Sequence, residues 1–230
     1  LRTRECIGGP NWNGERGRTV PLPNTLPEAD TVAAQLRKVG AQVEIRIGYE
    51  ALEDDARQIG ADSSDSPDFL MFATHGFGAD SLPLAFRGRF PPNNPMYSSW
   101  LLMAGAERVD TGGVSAPGFQ DGILTAREIG DLNLQGTRLA ILSACESGLG
   151  ETKSSEGVYG LQRAFKVAGA RHVLVTLWKI PDSRETQEFV GQFCHRWLAS
   201  GDARVALRET QLDFSKRGKN VQVWGAWVLI

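Results

Sequence analysis

Cysteine is scarce in this 230-residue chain, which contains Cys6, Cys145 and Cys194 alone. An odd and sparse set does not make a disulfide framework and indicates a reducing compartment, so we expect a cytoplasmic protein. A chain of this length can bury a sizeable apolar core without disulfides, because the buried fraction of the surface rises with chain length. Each cysteine is therefore a candidate for chemistry.

An excess of basic residues is also lacking, since 25 Lys and Arg stand against 27 Asp and Glu and give a formal net charge of -2. That balance does not favour nucleic acid as a direct partner. No run approaches the roughly 18 to 20 apolar residues that a bilayer span requires, so no membrane partner is expected. The chain begins with Leu1 and ends in the apolar run 221–230, and we interpret it as one domain of a longer polypeptide.

Metal-ligand spacings such as CxxC and HExxH are absent as well. His172 and the Cys194-His195 pair fall in different predicted elements, which favours packing or surface roles over a metal site. Neither a metal nor another cofactor is therefore expected. The GxSxG pattern of serine hydrolases is missing too, which removes that class of enzyme.

Three runs that are apolar on both faces predict buried strands, at 69–73, 139–142 and 173–178. A strand is apolar on both faces only where other elements cover both sides of its sheet. A further strand is predicted where apolar residues alternate over 43–47.

Helical patterns alternate with these strands, at 28–39, 157–168 and 185–198. The alternation predicts an α/β fold with a mainly parallel central sheet and helices on both faces. We expect 221–224 and 227–230 to return to the sheet as an outer strand.

A connection of 46 residues, Phe77 to Gly122, separates the first two buried runs. Connections this long without a helix of their own are usually functional or mobile. The apolar patch at 100–103 within it fits either a short strand or a docking anchor.

Polar residues follow the predicted strands at the points where the strands end. His75 and Gly76 come after the first buried run, Cys145 and Glu146 after the second, and Asp182 after the third. In open parallel sheets, ligands collect beyond the carboxyl ends of the strands. If the first two strands are neighbours about 4.8 Å apart, His75 and Cys145 leave the sheet within reach of each other.

This pair of residue types suits acyl transfer to cysteine followed by hydrolysis. A free cysteine thiol has a pKa of ~8.5, and a neighbouring imidazolium raises the fraction present as thiolate. His75 would shuttle the proton to a leaving amine, and the amides of Gly76 and Cys145 would hold the oxyanion. The structural alternative stays open, because a cysteine after a core strand is often packing and His-Gly is a common start of a loop.

A set of short segments along nearly the whole chain carries a more specific pattern. They are LPNT with Glu28 at 22–28, FATHG at 72–76, LTAREI at 124–129, LAILSACESGLGE at 139–151, Glu156-Gly157, FKVAGARHV at 165–173, LW with Asp182 at 177–182, and WGAW at 224–227. Together they resemble the CHAT domain of the caspase-like cysteine peptidases of clan CD, which are relatives of separase.

The resemblance implies a single caspase-like domain over residues 1–230, a three-layer sandwich with His75 and Cys145 as the catalytic dyad of an endopeptidase. Its substrates would be proteins or peptides. It also implies an upstream sensor region, such as tetratricopeptide repeats, or a partner protein that activates the peptidase in bacterial defence or cell death. The rival interpretation is a catalytically silent scaffold with the same fold.

Two acidic residues bear on substrate binding. In the separase-like relatives an acidic residue comparable to Asp182 binds a basic side chain beside the scissile bond, which implies cleavage after Arg or Lys. A carboxylate selects such side chains by charge-assisted hydrogen bonds. Asp182 also fits the N-cap of a helix over 183–198. Glu146 would either shape the pocket or cap the following turn.

Overall fold

The structure of the chain is a computed structural model. It describes residues 2–6, 22–61, 66–77, 94, 96, 97, 99–104, 106, 121–144 and 156–230, with residues 2–6 and 156–159 described by their backbone alone. Cys145 and Glu146 of the predicted site lie outside the described residues, as does most of the long connection between Phe77 and Gly122.

Strands of the described part form two sheets. In chain order they are β1 (Arg2–Cys6), β2 (Gln42–Arg46), β3 (Phe69–Thr74), β4 (Gly76–Phe77), β5 (Trp100–Leu102), β6 (Ile123–Thr125), β7 (Leu139–Ala144), β8 (Val173–Thr176) and β9 (Trp227–Leu229). A six-stranded sheet has the order β2-β1-β3-β7-β8-β9, and a three-stranded antiparallel sheet has the order β4-β5-β6. The patch at 100–103 is thus largely a strand.

Neighbouring strands of the large sheet run parallel from β2 to β8, and β9 alone is antiparallel at its edge. Every residue of β3 and β7 is buried. Strands with both faces covered need apolar residues at nearly every position, which is why these two runs lack polar alternation. The predicted mainly parallel central sheet is confirmed.

Helices cover both faces of this sheet. In chain order they are α1 (Thr25–Lys38), α2 (Glu53–Arg57), α3 (Ala126–Gly130), α4 (Glu156–Val167), α5 (Arg184–Ser200), α6 (Ala203–Lys216) and α7 (Val221–Trp224).

The two faces of β3 carry separate apolar cores. Phe69 and Met71 pack with α1, α5 and α6, whereas Leu70 and Phe72 pack with α2, α3 and α4. The alternation of side chains along the strand sends successive residues to opposite faces. The result is the expected three-layer α/β sandwich.

Among the described residues, no helix has the length and apolar composition that a membrane span requires.

The C-terminal segment differs from the sequence prediction. Residues 221–224 form the short helix α7, and the outer strand is limited to Trp227–Leu229. The side chain of Asn220 accepts a hydrogen bond from the amide of Gln222, which caps that helix. β8 also ends at Thr176, two residues before the predicted end. Local capping therefore outweighs the apolar pattern at 221–224.

Gly60 provides a test of this packing. It has a φ of +73°, and a Cβ there would overlap the carbonyl oxygen of Asn133. Gly40 has a similar φ of +80° but open space around it. We expect Gly40→Ala to lower the free energy of unfolding by about 1 kcal/mol, from backbone strain alone. Gly60→Ala should lower it by about 3 kcal/mol, since steric overlap is added. Urea unfolding measures both, and equal losses would contradict this packing.

Candidate active site

The carboxyl ends of β3 and β7 lie side by side. The two strands pair in parallel along their whole length, and the last pair is Thr74 with Ala144. His75 follows Thr74 directly in the sequence, and Cys145 follows Ala144. The neighbouring strands on which the sequence argument depended are thus present and in register. Because Cys145 lies outside the described residues, the dyad itself stays a prediction.

His75 lies at the junction between the two sheets. Its carbonyl oxygen accepts a hydrogen bond of 2.9 Å from the amide of Leu102, and the hydroxyl of Thr74 donates one of 2.6 Å to the Leu102 carbonyl. The imidazole is partly exposed, with its ring centroid 5.9 Å from that of Phe77. The Phe77 ring stacks in turn on Trp100, 4.3 Å away. The backbone of His75 is therefore held at the junction of the two sheets, and the residue is half-buried there.

Gly76 packs against the end of β7. It is buried, and a Cβ at this position would lie 3.1 Å from the Cβ of Ala144. That separation is tighter than ordinary van der Waals contact, so a side chain would push the two strand ends apart. A glycine here lets the backbone of 76 approach the residue that precedes Cys145.

Asp182 is oriented by the start of α1 rather than by α5. Its Oδ2 accepts hydrogen bonds from the backbone amide of Asn24, at 3.1 Å, and from the Asn24 side-chain amide, at 3.3 Å. The Asn24 side chain also donates to the Asp182 carbonyl at 3.0 Å. The N-cap of α5 is Ser183, whose hydroxyl accepts from the amide of Thr186. The expectation that Asp182 caps this helix is wrong.

Glu28 is a functional candidate that the sequence reasoning missed. It lies in the first turn of α1, is 3% exposed, and its Oε1 has no hydrogen-bond partner among the described residues. Burial raises the pKa of Glu28 to about 7, a hydrogen bond from Ser143 lowers it, and the nearby charge of Asp182 raises it. The available signal was its spacing with Val32 and Leu36, which places a carboxylate on the apolar face of the helix.

A second buried carboxylate, Glu53, lies on the opposite face of the sheet at the start of α2. It accepts hydrogen bonds of 2.9 Å from the amides of Asp121 and Gly122, which begin the segment before β6. Burial raises the pKa of Glu53 to about 7, and the charges of Asp121 and Glu128 add to the rise. The hydrogen bonds from the backbone amides of Gly122 and Asp121 lower the pKa of Glu53. Glu53 therefore anchors this segment to α2.

His172, His195 and Cys194 take ordinary positions. Cys194 is buried in α5 as a thiol, and His195 on the same helix is exposed. His172 is half-buried just before β8, and burial followed by the charge of Arg204 lowers its pKa. In the ranges that the structure describes, no three His, Cys, Asp or Glu residues stand together as metal ligands.

Comparison with known proteins decides the family. The model of the CHAT domain family matches residues 6–230, which is almost the whole chain. The chain belongs to the CHAT domain family. CHAT domains are related to the caspase-like peptidases of clan CD, as the sequence pattern implied. The mainly parallel sheet between two helical layers agrees with that relationship.

Relatives of this CHAT domain include two mammalian proteins. Tetratricopeptide repeat protein 28 of Homo sapiens is 34% identical over 116 residues, and its counterpart in Mus musculus is 32% identical over 116 residues. Each match covers 50% of this chain but 5% of the relative's length. The CHAT domain thus resembles a small part of much longer proteins.

Solved structures similar to the CHAT domain include two flavodoxins. A flavodoxin of Streptococcus pneumonia TIGR4 has a TM-score of 0.43 at 18% identity, covering 86% of this chain and 99% of the flavodoxin. A short-chain flavodoxin has a TM-score of 0.42 at 15% identity, covering 88% of this chain and 100% of that one. Similarity at this level does not bear on function.

The raised pKa of Glu28 makes the stability of the CHAT domain depend on pH. A carboxyl group with a folded pKa above its unfolded value stabilises the fold fully below the unfolded pKa, and that contribution is lost as the pH rises through the folded pKa. For Glu28 the window runs from 4.5 to about 7. The loss amounts to at most about 3 kcal/mol of unfolding free energy. We expect Glu28→Gln to flatten the decline in stability across this window.

Urea unfolding at steps between about pH 5 and about pH 8 checks this expectation. Glu53→Gln should flatten the same curve independently, because Glu53 lies on the other face of the sheet. The double variant should then combine the two effects. A curve whose slope is identical in the wild type and in Glu28→Gln would contradict the assignment of a raised pKa to Glu28.

Proposed function

We propose that this CHAT domain is a cysteine endopeptidase that cleaves protein substrates, with Cys145 as nucleophile and His75 as the proton shuttle. The observation that carries the proposal is the pairing of Thr74 with Ala144 at the ends of adjacent parallel strands. Each of these residues directly precedes one member of the dyad. Membership of a family related to cysteine peptidases supports the same reaction.

In the proposed reaction the Cys145 thiolate attacks the carbonyl carbon of the scissile peptide bond. The carbonyl oxygen becomes an oxyanion, to which the amides of Gly76 and Cys145 donate hydrogen bonds. The His75 imidazolium then gives its proton to the leaving amine, and the C–N bond breaks. Water, deprotonated by His75, attacks the resulting thioester and releases the acid product and the thiol.

Asp182 supports a preference for a basic residue on the acyl side of the scissile bond. Its carboxylate is half-buried in the segment after β8, and Asn24 holds one of its oxygens. A carboxylate fixed in this way binds Arg or Lys without an ordering cost of its own. Glu146, which follows the nucleophile in the sequence, is proposed to shape the same pocket.

Activation is proposed to come from an upstream sensor region or a partner protein. Residues 77–122 and 146–156 flank the two dyad positions in the sequence, and the activator is proposed to act on these two segments. The relatives are named as tetratricopeptide repeat proteins, which supports a repeat region as the sensor. A role in bacterial defence or cell death follows from the family resemblance alone. The buried thiol of Cys194 suits a reducing cytoplasm.

The dyad is tested by cleavage of a peptide library and by substitution. Cys145→Ala and His75→Ala should each lower kcat/KM by about 1,000-fold or more, because the nucleophile or its base is lost. His195→Ala is the matched control, since this histidine is exposed on α5, and it should keep wild-type activity. Cleavage that persists in Cys145→Ala would overturn the proposal.

An electrophile that requires an activated thiol separates a peptidase from a silent scaffold. Cys145 should be labelled in preference to Cys6 and Cys194, and His75→Ala should remove that preference. The chain is labelled alone and with its upstream region present. Equal or absent labelling of Cys145 under both conditions would favour an interaction module.

Gly76→Ala tests the close approach of the two strand ends. The added Cβ would meet Ala144 at 3.1 Å, so the Gly76 amide should move by a few tenths of an ångström. We expect kcat to fall by about 10-fold or more with KM little changed, because an oxyanion donor acts mainly in the transition state. Gly40→Ala, which faces open space, controls for glycine replacement. An unchanged kcat in Gly76→Ala would exclude this amide from the oxyanion hole.

A further inference from the structure

The small sheet β4-β5-β6 holds the backbone at the end of β3. The amide of Leu102, the last residue of β5, donates a hydrogen bond of 2.9 Å to the His75 carbonyl. The hydroxyl of Thr74 donates one of 2.6 Å to the Leu102 carbonyl. Leu102 therefore bonds to both residues at this point, and the position of the His75 backbone depends on where β5 lies.

The same end of β5 pairs with the segment that leads into β6. Leu102 lies opposite Ile123 in the antiparallel pair. The next residue, Met103, donates a hydrogen bond of 2.8 Å from its amide to the Gly122 carbonyl. Two hydrogen bonds, joined by the backbone of Leu102, therefore link Gly122 to His75.

Glu53 holds the other side of Gly122. Its Oε2 accepts hydrogen bonds of 2.9 Å from the amides of Asp121 and Gly122. Glu53 is 2% exposed and Gly122 is buried, so water does not readily replace the carboxylate as acceptor. Hydrogen bonds from backbone amides to a carboxylate are stronger than those between neutral groups. The side chain of Glu53 therefore fixes the segment that β5 contacts through Met103.

Arg57 connects Glu53 with a second carboxylate at the far end of β6. Its Nη1 lies 3.7 Å from Oε1 of Glu53 and 3.8 Å from Oε1 of Glu128. The Oε2 of Glu128 accepts hydrogen bonds of 2.8 Å from the amide and the hydroxyl of Thr125, the last residue of β6. Two carboxylates therefore hold β6, one before its first residue and one at its last.

The carboxylate of Glu53 lowers the stability of the fold at neutral pH. Burial raises its pKa to about 7, and the charges of Asp121 and Glu128 add to the rise. An apolar side chain in the same place has no charge to desolvate, but it would leave the amides of 121 and 122 without their acceptor. The gain from the carboxylate is the fixed geometry of these two amides.

We propose that Glu53 is a positioning residue for the peptidase reaction, which sets the place of His75 at the catalytic edge through β6 and β5. This inference rests on the proposed function. Without the acceptor, the segment before β6 is released, β5 shifts with it, and the His75 imidazole moves relative to Cys145. A displacement of about 1 Å at a catalytic group can lower a rate by about 100-fold, so a small shift of β5 is sufficient to slow the reaction.

The first test follows His75 by NMR and requires no turnover. The histidines of the chain are His75, His172 and His195, so the full chain labelled at its histidine rings gives one ring signal for each, assigned by replacing each histidine in turn. Glu53→Leu removes the acceptor but keeps a side chain of similar size. It should shift the His75 signal and leave the other two in place, because His172 and His195 lie outside the small sheet.

The second test measures cleavage by the same variants. Glu53→Leu should lower kcat by about 10-fold with KM little changed, because His75 acts in the chemical step. Glu53→Gln should bring kcat back to within about 2-fold of the wild-type value, since its amide oxygen can accept the same two hydrogen bonds. A loss that arose from general weakening of the fold would not show this separation of kcat from KM.

Gln211→Leu is the matched control. The side-chain amide of Gln211 in α6 donates to the carbonyls of Trp224 and Trp227, at 3.3 and 3.0 Å. Gln211 thus also binds two backbone groups of another segment, but at the β9 edge of the large sheet. Its replacement should leave kcat and the His75 signal unchanged. If Glu53→Leu does not fold, Glu53→Asp takes its place, because the shorter carboxylate displaces the two amides and should shift the His75 signal as well.

An unchanged His75 signal in the folded Glu53 variant would overturn the inference. Equal shifts of all three histidine signals would overturn it too, because they indicate a general change in the fold, and so would a failure of Glu53→Gln to restore kcat. The peptidase proposal fails on different evidence, namely cleavage or labelling that does not depend on Cys145, and the NMR test is independent of that result. Cleavage that depends on Cys145 and keeps its wild-type kcat in Glu53→Leu would contradict the inference about Glu53 alone.

Discussion

The parallel pairing of β3 with β7 is the constraint on which the rest of the molecule depends. Six residues of each strand pair in register, and both strands are buried on both faces by separate apolar cores. A shift of one residue would exchange the faces of every side chain and expose one core. Burial therefore fixes the register, and the register fixes which residues leave the sheet together.

The carboxyl ends of these strands differ in composition from the rest of the buried sheet. Most residues of β3 and β7 are apolar and closely packed, whereas His75, Gly76, Ser143, Glu28 and Asp182 lie at or near the carboxyl ends. Buried carboxylates weaken a fold at neutral pH, because burial disfavours their charged form. Proteins tolerate such local conflicts mainly at functional sites. The pH dependence expected for the stability of this domain thus arises at Glu28 and, on the opposite face of the sheet, at Glu53.

The layered α/β fold could be predicted from the sequence because its signals are local. Apolar runs marked β3, β7 and β8, and helical periodicity marked α1, α4 and α5. The predictions were wrong where specific hydrogen bonds had more influence than the local sequence pattern. The apolar residues of 221–224 became a helix capped by Asn220, and Ser183 rather than Asp182 capped α5, because Asn24, 158 positions away, engages the Asp182 carboxylate.

The sequence by itself determined the family, the sheet class and the strand ends at which chemistry was expected. These follow from short motifs and from the period of the apolar residues, and both involve residues that are close together in the sequence. Only the tertiary structure decided that β3 and β7 are adjacent and end in register. It alone brought Glu28 of α1 to Ser143 of β7 and Asp182. The pKa of a carboxyl group depends on the burial and the charges around it, and those arise from segments that are distant in sequence.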